Sequence, residues 1–289
     1  MQRVSRDSAP TTQILSHDGW PYASSLPIDA QDPGRFHALF GRDSLIYSLQ
    51  VMPEQPAVAR ATLRALAALQ GQREDPDTDE GQGKIVHEYR PQPDPRFEEM
   101  GWPVRDGELR YYGSADSTSW FLVVLAALGD RALEDELSAC WRAASGWVER
   151  ALERGRGLLR HGPRRTEGGL VQQGWRDTSD PLQAYGGGIL DADGRVPEPP
   201  LADADTQAVT VAALRATARR SGMHAGSRWP IGRWSTSRAR PRRSRRASRA
   251  SAAKGCRWAP GYHRTRPEAP RWAARRTPCC RRDGCQRGR

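Results

Sequence analysis

The chain has no Asn, and only two of its 45 basic residues are Lys, so Arg carries nearly all of its positive charge. No apolar run approaches the roughly 20 residues that a bilayer-spanning helix needs, which argues against a membrane partner. Residues 1 to 30 hold no apolar stretch of the kind a secretory signal carries, so a cytoplasmic protein is expected. Cysteine is scarce. Cys140 stands alone before residue 221, and Cys256, Cys279, Cys280 and Cys285 lack the paired spacing of a zinc site, so no disulfide framework, metal or other cofactor is expected. Sustained period-two alternation is also missing, and with it the signature of half-buried strands.

Charge divides the chain. Residues 1 to 220 hold 25 basic and 32 acidic side chains, whereas residues 221 to 289 hold 20 basic and 2 acidic. The second part lacks Leu, Val and Phe but contains Arg242-Arg243-Ser244-Arg245-Arg246 and four Trp. Such a composition cannot bury enough apolar surface to offset chain entropy, so a disordered tail is expected. An Arg-rich arm can bind nucleic acid. Arg, Ala, Gly, Pro, Ser, Trp and Cys are also what GC-rich codons give in a wrong frame, and a frameshift between Arg219 and Met223 is the reading adopted; nucleic acid is then not a partner. The expected organisation is an N-terminal segment over 1–30, a domain over 31–220 and a basic tail over 221–289.

Inside the domain the periodicity is helical. Helices are expected over Asp43 to Val51, Ala57 to Gln70 behind Pro56, Trp120 to Leu128, Ala132 to Glu153, and Asp205 to Arg219 led by Asp203. The helices beginning near Asp43, Asp116 and Asp205 start in polar clusters, and the other two do not. Alternation of this kind suggests concentric packing, with inner helices presenting their N-termini to a central space. Cys140 falls on the apolar face of its helix as a small core residue.

Four clusters stand out: Phe40-Gly41-Arg42-Asp43-Ser44, Gly83-Lys84-Ile85-Val86-His87-Glu88-Tyr89-Arg90, Tyr111-Tyr112-Gly113-Ser114-Ala115-Asp116-Ser117-Thr118, and Gln173-Gly174-Trp175-Arg176-Asp177-Thr178-Ser179-Asp180. A packed core has no use for so many charged and aromatic residues at helix ends. A sugar site needs Arg and carboxylates for hydroxyls and aromatic faces for ring CH groups. Plainer roles remain open: Asp43 as a helix cap paired with Arg42, Asp116 as an N-cap, and His87 as a hydrogen-bonded structural residue.

In order and spacing, the four clusters resemble the catalytic region of bacterial glycogen-debranching-type amylo-α-1,6-glucosidases. These are grouped with the glucoamylase-like and mannosylglycerate-hydrolase-like glycoside hydrolases of the (α/α)6-toroid class. The resemblance covers about residues 30 to 218. It implies an all-α fold, a partial (α/α)6 toroid of helical hairpins, acting on an oligosaccharide or α-glucoside by inverting hydrolysis. By resemblance Arg42 and Asp43 hold the sugar in the glycone subsite. His87, Glu88, Tyr112 and Asp116 line it further, and Trp120 or Trp175 is a stacking platform. Asp177 is the expected general acid and Asp180 its substitute. An Asp beside Trp175 on a Gly-preceded loop can be partly desolvated and kept protonated if Arg176 faces out. The water-activating carboxylate of the resembling families lies in the later half of the ring, so the chain alone is expected to be inactive. A non-catalytic glycan-binding protein is the alternative. An epimerase or lyase would need a catalytic His pair or a Tyr/Arg set, which the clusters do not supply.

Overall fold

A computed structural model describes residues 14–24, 36–164, 168–180, 182 and 187–220. The expected tail lies outside the described residues, and so do the frameshift positions beyond Arg220. Within the described part the chain is helix-rich, with helices α1 (Gly41–Val51), α2 (Pro56–Ala68), α3 (Arg96–Glu99), α4 (Ser117–Leu128), α5 (Arg131–Glu136), α6 (Ser138–Arg154) and α7 (Ala204–Arg220). No helix among the described residues is long and apolar enough to cross a membrane.

Local chemistry sets most boundaries. Pro56 opens α2 at a position whose N–H has no intrahelical acceptor. Gly129 ends α4 with φ 63°, a conformation that costs glycine nothing, and the next residue, Asp130, caps α5 by accepting from Leu133 N. Asp203 leads α7 as expected, its Oδ1 accepting from Thr206 N at 2.8 Å. The single helix expected from Ala132 to Glu153 is instead two. Leu137 closes α5 with its N–H on Leu133 O, takes ψ 17°, and then starts α6. The run Leu133, Leu137, Trp141, Ala144 fixes which face is buried, but that spacing is insensitive to one residue leaving helical ψ.

A four-stranded antiparallel sheet, not expected from the sequence, sits beside the helices in the order β1-β2-β4-β3. Its strands are β1 (Leu39–Phe40), β2 (Glu88–Arg90), β3 (Val104–Arg105) and β4 (Glu108–Tyr111). Runs of two to four residues are too short to establish a period of two. The readable signal was the turn Asp106-Gly107 between β3 and β4. Both residues have positive φ, 52° and 78°, as a two-residue type I′ hairpin requires.

Helix α4 is the centre of the packing. It contacts α1 on one side and α7 on the other, while α2 packs on α1 and α4, and α6 packs on α4 and α7. Trp120-Phe121-Leu122-Val123-Val124-Leu125 serves this position, because a central helix is apolar on most of its circumference. The core joins Leu45 of α1, Leu63 and Leu66 of α2, Phe121 and Leu125 of α4, and Val148 of α6. Residues 14–24, part of the expected N-terminal segment, fold back on this body. Trp20 packs against the core, the Tyr22 ring stacks on His37 at 3.9 Å, and Pro21 O accepts from Ser44 Oγ at 2.9 Å.

Candidate functional site

The site forms where the N-termini of α1 and α4 meet β1, β2 and the loop 172–178. Gly41 makes the approach possible. Its N–H donates to His87 O at 2.8 Å, and a Cβ there would lie 2.2 Å from Val86 O, so no larger residue fits. Arg42 follows immediately and is buried, with 3% of its surface exposed. Its Nε donates to Asp116 Oδ1 and Oδ2 at 2.9 and 2.8 Å, its Nη1 to Asp177 Oδ2 at 2.5 Å, and its Nη2 to Gly174 O at 2.7 Å. One guanidinium thereby ties together α1, α4 and the loop, a use for which its planar fork of donors suits it. Burial works against its charge, but contact with Asp116 and then Asp177 more than offsets this and holds Arg42 ionised.

Asp116 occupies the N-cap position of α4 but makes no capping bond with its side chain. Its carboxylate serves Arg42 and accepts from Ser114 Oγ at 2.9 Å, while Ser114 Oγ takes the Ser117 N–H at 3.2 Å. Ser114 caps in place of Asp116. Asp43 lies in the first turn of α1, whose N-cap is Phe40, and its side chain is exposed. The protein wall beside it raises its pKa, Arg42 opposes the rise, and the like charges of Asp177 and Asp116 add to it.

His87 lies edge-on between the rings of Phe40 and Tyr111, at 5.6 and 5.8 Å, with Nε2 3.8 Å from Asp177 Oδ2. Burial lowers its pKa to about 4, so the ring is neutral at pH 7. Its buried Nδ1 has no hydrogen-bond partner, which departs from the expected hydrogen-bonded structural histidine. Glu88 is buried as well and takes Arg90 Nε at 2.5 Å, with the Arg90 guanidinium 4.2 Å from the Phe97 ring centroid. Burial, its largest influence, raises the Glu88 pKa to about 7 against the opposing effect of Arg90. Glu88 is therefore turned to Arg90 inside the protein and not to the open side of the Arg42 cluster.

Two expected lining residues lie elsewhere. Tyr112 sends its hydroxyl to Leu69 O at 2.8 Å and lines a polar cleft with Thr78, Arg105 and Arg110. Tyr111, the last residue of β4, meets the His87 ring, while Tyr112 lies one residue past the strand with its hydroxyl on Leu69 O. Asp180 is exposed and closes its own turn, accepting from Leu182 N at 3.0 Å. Trp175 is 55% exposed beside Asp177, and Arg176 faces solvent as expected. The neighbour that meets the Asp177 carboxylate is thus Arg42 and not a desolvating indole. Trp120 is half-buried and lines an apolar groove of about 510 Å³ with Ile46, Val123, Val209 and Ala212, whose lining also includes Asp116 and Trp175.

Sequence reasoning missed one polar relay. His161 Nδ1 accepts from Gln173 N at 3.2 Å, which leaves the proton on Nε2 to be donated to Asp203 Oδ2 at 2.8 Å. Asp203, with His161 and Thr206 on it, is held far below the ordinary carboxylate range despite partial burial. Gly174 passes beside this pair so closely that a Cβ would lie 2.5 Å from Asp203 Oδ2. His161 belongs to no cluster in the sequence, so only Asp203, as the residue leading α7, gave a signal. Among the described residues no group of three His, Cys, Asp or Glu side chains is placed to hold a metal ion. No protein-family model matches the sequence, and no curated protein matches it.

Proposed function

We propose that residues 36–220 are part of the catalytic domain of a glycoside hydrolase acting on α-glucosides, of the glycogen-debranching type. In this reading α1, α4 and α7 are inner helices of an (α/α)6 toroid, α2 and α6 are outer ones, and a cytoplasmic location goes with it. One observation carries the reading. Arg42 holds Asp116 and Asp177 in one cluster, with the exposed Asp43 and Trp175 beside it. A ring with vicinal hydroxyls offers donors to Asp43 and to the part-exposed Asp177 and CH groups to the indole face, and reaches the Arg42 fork by displacing an acceptor it already holds.

Asp177 is the residue of the cluster suited to protonate a leaving oxygen. Its Oδ2 is held by Arg42 Nη1, so a sugar hydroxyl must first take that donor before Asp177 can meet a leaving oxygen. Inversion then needs a second carboxylate about 6.5 to 9.5 Å away with water between them. In the resembling families that group comes from the later half of the ring, and turnover is expected of a chain that supplies it. Glycan binding without turnover is the second reading, favoured by the Arg42 to Asp177 contact: the pair stays closed while the part-exposed Asp177 carboxylate accepts from hydroxyls.

Calorimetric titration with maltotriose and isomaltose, together with an assay of their hydrolysis by a chain that supplies the second carboxylate, tests both readings. Binding that Arg42→Ala weakens about tenfold or more supports the site, since a charged hydrogen bond is lost. Hydrolysis that Asp177→Asn lowers about 100-fold with binding retained supports the hydrolase. Binding without hydrolysis that Asp177→Asn weakens supports the second reading. Failure of both sugars to bind rejects the two together.

A further inference from the structure

The loop 172–174 has two sides. Gly174 O receives Arg42, but the adjacent Gln173 side chain points the other way and donates to Asp79 Oδ2 at 3.0 Å. On that side lies a cavity of about 560 Å³, within the roughly 300–1,000 Å³ usual for small-molecule sites. Arg42, Asp43 and Asp177 are absent from its walls, which hold four cationic side chains against two carboxylates.

Both carboxylates are already engaged. Asp79 takes Arg164 N on Oδ1 and Gln173 on Oδ2, while Glu74 takes Gln82 N at 3.2 Å and Arg164 Nη1 at 2.7 Å. Arg164 is thereby satisfied as well. Lys84 is not. Its ammonium is buried 5.5 Å from the Trp147 ring centroid and donates to Asp79 O at 3.1 Å, one acceptor for a group with three donors. Arg154 and Arg160, both exposed, stand in the same wall. A buried ammonium with one acceptor for three donors is costly, and a cavity of this size admits a ligand that supplies the others.

We propose that this cavity is a second ligand site, which takes the oxyanion group of a sugar-sized ligand, phosphate or carboxylate, on Lys84 Nζ with Arg154 and Arg160 at its sides. Site and ligand are independent of the Arg42 cluster. Oxygen atoms of the anion accept the remaining Lys84 protons, and the arginines meet the rest of its charge through charge-assisted bonds. The neutral part of the ligand fills the space between Trp147 and the chain at Pro199 and Pro200.

Calorimetric titration of the full chain with glucose 6-phosphate, glucuronate and inorganic phosphate tests the proposal. One of the two sugar anions is expected to bind, and which of them binds more tightly separates a phosphate site from a carboxylate site. Lys84→Met is expected to weaken that anion about tenfold or more. The double variant Arg154→Ala, Arg160→Ala changes only exposed side chains, so it keeps the fold and is expected to weaken binding about threefold to tenfold. Absence of binding by both sugar anions overturns the proposal, and so does affinity left unchanged by the arginine double variant. Inorganic phosphate binding as tightly as glucose 6-phosphate overturns the sugar-sized ligand.

Discussion

Arg42 and Lys84 are both buried cations beside the same loop, and they are treated in opposite ways. Arg42 has an acceptor for each of its donor groups and two carboxylates to balance it; Lys84 has one backbone carbonyl and an adjoining cavity. Their acidities differ accordingly. Arg42 is pushed up by its carboxylate neighbours, whereas burial brings Lys84 down to about 8. A buried charge is held either by groups the fold supplies or by something that must arrive from outside.

The strongest way to break this contrast is to replace each cation by Met. Arg42→Met leaves Asp116 buried without its partner and is expected to cost about 3–5 kcal/mol in chemical denaturation. An unfolding midpoint indistinguishable from that of the parent chain would show that Asp116 finds another partner, and the knot would lose its structural meaning.

Glu88 tests the same idea with a negative charge. Its folded pKa of about 7 lies above the ordinary 4.5, so the folded chain binds this proton more tightly than the unfolded chain does. The stability it contributes is complete below about pH 4.5 and is lost as pH rises through 7, a decline on the order of 1–3 kcal/mol. Glu88→Gln should flatten the stability profile between those values. A profile with the same slope in the variant would mean that Arg90 keeps Glu88 ionised throughout.

A smaller effect is expected at Lys84. Its folded pKa is depressed, so its protonated form is a burden below pH 8, and Lys84→Met at pH 7 should leave stability unchanged or raise it by about 1 kcal/mol. A loss comparable to that of Arg42→Met would erase the difference between the two cations. Smallest of all, Trp175→Ala should shift stability by no more than about 0.5 kcal/mol, because the ring is mostly exposed, while weakening sugar binding severalfold.

What could be read in advance was what periodicity and capping encode. Helices α1, α2, α4 and α7 stand within a few residues of their expected ranges because Pro56, Gly129 and Asp203 mark their ends and their apolar faces repeat. The convergence of Arg42, Asp116 and Asp177 followed from the clusters as sets, since nothing local joins residues 74 and 135 positions apart. Tyr112 stands apart from the Arg42 cluster because adjacency in sequence to Tyr111 does not reveal which way a side chain turns past the end of a strand. The sheet itself escaped notice with only the Asp106-Gly107 turn to announce it. His161 and the burial of Lys84 left no trace that spacing could register, because both depend on which loops close over them.

The acceptor that Arg42 finds at Gly174 is a main-chain carbonyl. This makes the contact indifferent to side-chain identity along the loop while making residue 174 itself intolerant, since a Cβ there would meet Asp203 within 2.5 Å. A saturation scan of residues 172–178 should therefore be permissive at the exposed Arg176 and restrictive both at Asp177, whose side chain holds the guanidinium, and at Gly174, which meets it with its oxygen alone. In this loop the residue with no side chain is the one whose replacement the site would feel from both sides, through Arg42 in front and through the His161 and Asp203 pair behind.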